Sequence, residues 1–326
     1  MEIKKELLNE KISTALELLE KDDIWKKQYE EYAVLMTEYE EEKTKLSKKF
    51  KQWKSLKFYL TVGNAKEGPK SLKISVRHLG QEVAEIRSSA KGVNLVVSEK
   101  RQKTNENNFE YDKKLNVPWN SEEAKEFREY LQEKERIDNG KANEEHRLES
   151  LLLTEFLKMS SKDKLLCGIQ PVTFIGYRFP MPTAITASEI KNGANVIKIG
   201  LGHIDILARV KNGREVNLVV FEVKDKNEEK ENVNNLLQQA TGYATFLIKL
   251  LRSEFGQKWY KILGFNGNLP PKLTVKVCSA MPVKENGEYD TFEKFSLDCG
   301  NDKIEYHWLY FKEVDNKIIE MPNNLK

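Results

Sequence analysis

Between residues 202 and 243 the chain sets three groups of chemically capable residues. Asp205 lies in Gly-His-Ile-Asp-Ile-Leu, Glu222 and Lys224 in Leu-Val-Val-Phe-Glu-Val-Lys, and Gln239 and Tyr243 in Gln-Ala-Thr-Gly-Tyr. Two carboxylates and an ammonium group can hold a hard, oxygen-seeking cation and organise water beside it. Such a cation lowers the pKa of bound water and polarises a phosphoryl oxygen, which is the chemistry of metal-assisted hydrolysis. The surroundings of Glu222 favour a chemical role. Residues 218 to 223 run Leu, Val, Val, Phe, Glu, Val, a continuous apolar stretch that marks a strand covered on both faces. An unpaired carboxylate there costs several kcal/mol or is neutralised by a raised pKa, so Glu222 calls for a metal or a tightly held partner.

The elements that must position these groups follow from periodicity. Side chains alternate along a strand, so Glu222 and Lys224 project from one face, two rises or about 6.6 Å apart. Upstream, Gly202 to Val210 alternates Ile204, Ile206 and Ala208 with Asp205, Leu207 and Arg209, and Asn212-Gly213 is a two-residue hairpin signal. The two strands are expected to be antiparallel neighbours, with Asp205 and Glu222 converging if they share a face. Val233, Leu236, Leu237, Ala240, Phe246 and Leu247 predict a helix over 229–252, on which Gln239 and Tyr243 share one side. An ordinary pair of boundary residues is the alternative reading of those two. A preceding helix, from Asn143 to Met159, has Leu148, Leu152, Phe156 and Met159 along one stripe bordered by Glu145, Glu149 and Glu155. Carboxylates in that position are ordinarily solvated. Later strands are expected at Leu273 to Cys278 and Ile304 to Phe311, extending the same sheet.

An Asp followed after seventeen positions by Glu-x-Lys on a buried strand resembles the PD-(D/E)XK nucleases, over residues 145 to 250 or so. Gln239 and Tyr243 resemble that superfamily's QxxxY extension, while Ile204 replaces the eponymous proline. The resemblance implies an α/β chain with a restriction-endonuclease-like core, a mixed central sheet flanked by helices. It implies Mg²⁺, with Mn²⁺ able to substitute, held by Asp205 and Glu222 with the Val223 carbonyl and, from the first core helix, Glu149. It casts Lys224 as the group that orients or deprotonates the attacking water, and Gln239 and Tyr243 as flanking the metal and contacting substrate phosphate or Lys224. The implied substrate is DNA, double-stranded, and cutting both strands would ordinarily require a homodimer.

The rest of the chain narrows the class. At 326 residues it is long enough for two domains, with 32% charged and 39% hydrophobic residues describing a soluble globular protein. No apolar run approaches the roughly 20 residues of a spanning helix, and the opening Met-Glu-Ile-Lys-Lys-Glu lacks a secretory stretch, so no membrane association is expected. Three scattered cysteines, Cys167, Cys278 and Cys299, fit a reducing cytoplasm and cannot supply a four-cysteine iron–sulfur cluster. No Gly-x-x-x-x-Gly-Lys-Ser/Thr loop is present, so no intrinsic ATPase is expected. His203 lacks a second His or Cys nearby and is read as a neighbour of the site.

Residues 1 to 120 are read as an N-terminal region for DNA binding or dimerisation, and 121 to 326 as the nuclease domain. Residues 1 to 50 predict one or two amphipathic helices. Residues 51 to 103 hold twelve Lys or Arg against four Glu. The segment Ser71 to Leu79 places Leu72, Ile74 and Val76 on one face and Lys73, Ser75 and Arg77 on the other. With Lys57, Arg87 and the aromatic Trp53, Phe58 and Tyr59 nearby, that basic face suits contact with a DNA backbone. A lysine-rich solvated surface is the alternative. Arg101 to Pro118 reads as a polar linker, and Asn120-Ser121 as the cap of a helix that breaks near Asn139-Gly140. A separate basic domain favours a restriction or genome-defence endonuclease. The alternatives are a repair or recombination nuclease acting on branched or damaged DNA, and a catalytically silent nucleic-acid-binding or assembly protein.

Overall fold

A computed structural model describes residues 1–47, 56–62, 72–89, 92–97, 111, 113–133, 141–158, 160, 162–174, 177–191, 194–225, 233–284 and 287–325. Two helices, α1 (Lys5–Lys21) and α2 (Ile24–Ser47), precede the strands β1 (Leu56–Val62), β2 (Leu72–His78), β3 (Gln81–Ser89), β4 (Gly92–Val97) and β5 (Leu115–Pro118). Then come helices α3 (Glu122–Glu133) and α4 (Lys141–Phe156) and the short strands β6 (Ile169–Pro171), β7 (Thr173–Phe174) and β8 (Tyr177–Arg178). A long hairpin, β9 (Pro182–Lys191) and β10 (Ala194–His203), leads to β11 (Ile206–Asn212) and β12 (Glu215–Val223). Helices α5 (Val233–Leu251) and α6 (Gly256–Ile262) are followed by β13 (Thr274–Pro282), β14 (Phe295–Cys299), β15 (Asp302–Val314) and β16 (Lys317–Glu320). The class is mixed α/β. No helix among the described residues is long and apolar enough to cross a membrane.

The chain forms two compact units that interleave along the sequence. The first comprises Met1–Glu30, Leu151–Val172 and Pro180–Lys326, and the second Glu31–Ser150 and Thr173–Phe179. This differs from the single boundary read at residues 120/121. The reason is visible at α1, whose buried Leu8, Ile12, Ala15 and Leu19 recur at helical spacing and pack against α5 rather than against a separate N-terminal domain. Lys249 on α5 reaches Glu20 at 2.7 Å along the same seam.

In the first unit the main sheet runs in the order β14-β15-β13-β12-β11-β6, with β16 paired to β15. β12, β13 and β15 are parallel to one another, and the other neighbours are antiparallel. Strands covered on both faces can be apolar throughout, and the last six residues of β12 are all buried. α5 is the cover on one side, with sixteen of its residues buried, from Val233 to Leu251. The hairpin joining β11 and β12 forms as expected, one residue later: Asn212 pairs with Glu215, and Gly213 and Arg214 make the turn. Gly213 has φ +60° whereas Arg214 has no positive φ, the pattern of a II′ turn in which only the first central position needs glycine. The strands foreseen near Leu273 and Ile304 are β13 and β15, and both extend this sheet.

In the second unit the sheet order is β5-β4-β3-β2-β1-β8-β7. β1 to β5 form an antiparallel meander, and β8 joins β1 in parallel through the pair Tyr59 and Arg178. Residues 115–118, read as linker, form β5, because Leu95 and Val97 of β4 offer register to Val117 and Leu115. Residues 101–110 and Trp53 lie outside the described residues. Ser121 caps α3 as predicted, its hydroxyl accepting from the Ala124 N–H at 3.2 Å. α4 ends at Phe156, three residues short of the predicted terminus, and Met159 lies outside the described residues.

Candidate functional site

The first unit draws four of the sequence-predicted residues together where β12 ends. Glu222 is 3% exposed and sits in register with Ser279 of the parallel neighbour β13. The next residues keep the chain fixed to that neighbour, with Val223 opposite Ala280 and the Lys224 N–H donating to the Ala280 carbonyl at 3.1 Å. Lys224 Nζ lies 3.8 Å from Glu222 Oε1, so the two side chains share a face as alternation requires. Desolvation strengthens such a pair while making it costly to separate.

Asp205 arrives from a break in the chain rather than from within a strand. The continuous strand expected over 202–210 is interrupted at Ile204 and Asp205: β10 ends at His203 paired to β9, and β11 begins at Ile206 paired to β12. One step beyond the pair Ile206 and Phe221, the register brings Asp205 level with Glu222. Asp205 Oδ2 accepts a hydrogen bond from the Val223 N–H at 2.8 Å. A carboxylate thus replaces a strand carbonyl at the end of the ladder, and the switch between two sheets is what releases Asp205 for that position.

Gln239 and Tyr243 are core residues, 1% and 2% exposed, rather than residues at the edge of an apolar face. Tyr243 packs on the strand that leads to Asp205. A Cβ added at Gly202 would lie 3.0 Å from Tyr243 Cε1, 2.6 Å from Thr183 Oγ1 and only 2.3 Å from the Ile185 carbonyl oxygen. Glycine at 202 is therefore a condition of close approach between α5 and the β9–β10 hairpin. Gly242 makes a similar condition from the helix side, where an added Cβ would meet Ala187 Cβ at 3.0 Å. Gln239 Oε1 is buried and has no hydrogen-bond partner among the described residues.

Comparison of the chain with family models, with curated proteins and with solved structures finds no match. The geometry therefore carries the functional reading.

Asp225, which the motif does not include, is 5% exposed immediately after Lys224. Its signal was present as a third charge following an apolar run. His203 is exposed at the end of β10.

Glu149 belongs to the second unit, on α4, and is 8% exposed instead of solvated. His146 Nδ1 lies 3.2 Å from its Oε1, and this hydrogen bond raises the His146 pKa against the opposing effect of burial. Glu155, in the first unit, is buried too, because Oε1 accepts from the Leu165 N–H at 2.8 Å.

The face of β2 expected to be open and basic is partly closed. Ser75 is 1% exposed and donates to Glu82 at 2.7 Å, and Arg77 is half-buried with its guanidinium 4.4 Å from the Tyr59 ring centre. Arg87 is exposed but paired, its Nε and Nη2 at 3.1 and 3.0 Å from one Glu85 oxygen. Lys57 is half-buried, and burial together with the Arg178 charge brings its pKa down to about 8. Lys73 is a β2 residue whose side chain lies outside the described residues.

Proposed function

We propose that the chain is a metal-dependent deoxyribonuclease with a restriction-endonuclease-like core, hydrolysing phosphodiester bonds in double-stranded DNA as a restriction or defence endonuclease. One observation supports this reading above the others: Asp205 bound to the Val223 peptide beside the Glu222–Lys224 pair, at the carboxyl end of a buried parallel strand. In open α/β sheets the crevice at the carboxyl ends of parallel strands is the usual place for ligands.

The donor set fits Mg²⁺, because Asp205, Glu222 and the Val223 carbonyl offer hard oxygens and no thiolate or imidazole among them. These residues would hold the ion, with Mn²⁺ able to replace it. When bound, such an ion polarises the scissile phosphate and lowers the pKa of the attacking water. The chain's own contributions are separate. Lys224, 12% exposed on its side chain, orients the water and offsets the charge that develops on the phosphoryl oxygens. The Val223 N–H fixes the Asp205 carboxylate, so that little reorganisation accompanies the reaction. Tyr243 and Gln239 act as positioning residues, since Tyr243 packs on the Gly202 backbone three residues before Asp205.

The test is incubation of the full chain with supercoiled and linear plasmid DNA in Mg²⁺, in Mn²⁺ and in EDTA, beside Glu222→Ala and Lys224→Ala. Metal-dependent cleavage, lost in both variants, is expected, with discrete products if cutting is site-specific. Faster cutting of branched than of plain duplex DNA would move the assignment to repair or recombination. Intact DNA under every metal, modified or not, would sink the nuclease and leave the binding or assembly reading.

A further inference from the structure

The second unit gathers cations around one aromatic ring. Lys57 on β1 stands directly across from Arg77 on β2, and Tyr59 directly across from Arg178 on β8. Cross-strand partners project to the same face, and so do residues two apart on one strand. The register therefore places Lys57, Tyr59, Arg77 and Arg178 on one face of the sheet. The guanidinium carbons of Arg77 and Arg178 lie 4.4 and 5.7 Å from the Tyr59 ring centre.

Such an arrangement is costly as it stands. Like charges facing each other across strands repel, and a buried guanidinium needs an anion. Arg178 is only 8% exposed, and its Nη1, like Arg77 Nε, is buried with no hydrogen-bond partner among the described residues. The two acids that β3 brings to this face, Glu82 across from Arg77 and Glu85 across from Ser75, have contacts of their own: Glu82 accepts from Ser75, and Glu85 from Arg87. No ion pair to Lys57, Arg77 or Arg178 occurs among the described residues. Burial and the nearby Arg178 lower the Lys57 pKa, which reports the same crowding of positive charge. Tyr59 offsets part of the cost, through its π face and through a side-chain hydrogen bond with Arg178, without neutralising it.

We infer that Lys57, Arg77 and Arg178 around Tyr59 form a pocket for a phosphate monoester, the terminal phosphoryl group of a mononucleotide or of a 5′-phosphorylated DNA end. A monoester carries about −1.5 to −2 charges at neutral pH, a better match to three cations than the single charge of a backbone diester. Planar guanidinium donors fit phosphoryl oxygens in pairs, which satisfies Arg178 Nη1 and Arg77 Nε together. The depth of Arg178 selects a compact group, and half-buried Lys57 and Arg77 give the pocket its outer side. The site does not depend on residues 205, 222 and 224 cutting DNA.

The experiment uses the full chain in EDTA, so that binding is read without cleavage. Melting is compared in inorganic phosphate and in chloride at equal ionic strength, and affinity is measured for a 5′-phosphorylated and a 5′-hydroxyl duplex of one sequence. Phosphate is expected to raise the melting temperature. A preference of about tenfold or more for the 5′-phosphorylated duplex identifies a DNA end as the source. Stabilisation by phosphate and by a mononucleotide, with no duplex preference, identifies the free ligand. Both responses are expected to vanish in Arg178→Met and in Lys57→Gln, and the latter, at a half-buried position, decides alone if the former does not fold. Identical melting in phosphate and chloride together with equal affinity for the two duplexes overturns the pocket, as does a full response surviving in Lys57→Gln.

Discussion

Two charged clusters, one in each unit, treat buried charge in opposite ways. In the first, Arg252 binds Asp302 with two hydrogen bonds of 2.8 and 2.6 Å, and Asp302 accepts a third from the Leu273 N–H at 2.7 Å. Burial pushes that carboxyl up, but Arg252, the Leu273 N–H and Lys272 outweigh it and hold it below its ordinary value. Lys276 in the same unit is 2.7 Å from Glu305. In the second unit Arg178 and Arg77 lie against Tyr59, and no carboxylate pairs with them among the described residues. A matched pair restores most of what desolvation costs, whereas an aromatic ring returns about 1–2 kcal/mol. The first pattern is that of a finished core, the second that of a surface awaiting an anion.

The largest expected effect comes from breaking a matched pair. Lys276 is 5% exposed on its side chain, so Glu305→Gln leaves a buried cation beside His307, and a loss of about 3–5 kcal/mol is expected by denaturant unfolding. A loss near zero would mean that the pairing contributes little and that the contrast between units is superficial. Gly202→Ala should come next, at about 1–3 kcal/mol, because its Cβ would strike the Ile185 carbonyl and Thr183. Melting together with cleavage would be measured, and unchanged values of both would show that α5 does not position Asp205 through that contact.

Arg178→Met should move the other way. Without phosphate, removal of a cation lacking an anion is expected to be neutral or stabilising by about 1 kcal/mol. A destabilisation as large as that of Glu305→Gln would place Arg178 among the satisfied core charges. The last effect is a pH dependence. The Lys57 pKa falls from 10.5 to about 8 on folding, so between those values the unfolded chain binds the extra proton and stability rises with pH. Below about pH 8 both states are protonated and the gain is absent. The rise should disappear in Lys57→Met, and an identical pH profile in that variant would remove Lys57 from the cation cluster.

Local order was legible where one principle dominated. The apolar run before Glu222 marks a covered strand, and β12 is that strand; the positive φ at Gly213 marks the hairpin turn one position after the one foreseen. The helix at Gln239 and Tyr243 was legible from its period, but its burial on all sides was not, since period shows one face and α5 is covered by α1, the β9–β10 hairpin and the main sheet together. The break at Asp205 was hidden because alternation runs unbroken through residues 202 to 210, and only the different partners of β10 and β11 reveal the switch.

By itself, then, the sequence determined the residue types at the candidate site, their order along the chain and the strand that carries Glu222 and Lys224, because these depend on neighbours in the chain. Only the tertiary structure decided that the Asp205 carboxylate binds the Val223 N–H, that α1 belongs with α5, and that Arg178, over a hundred positions from Tyr59, lies against its ring. Those facts rest on pairing between distant strands, and register across a sheet is set by the burial of whole faces rather than by any local signal.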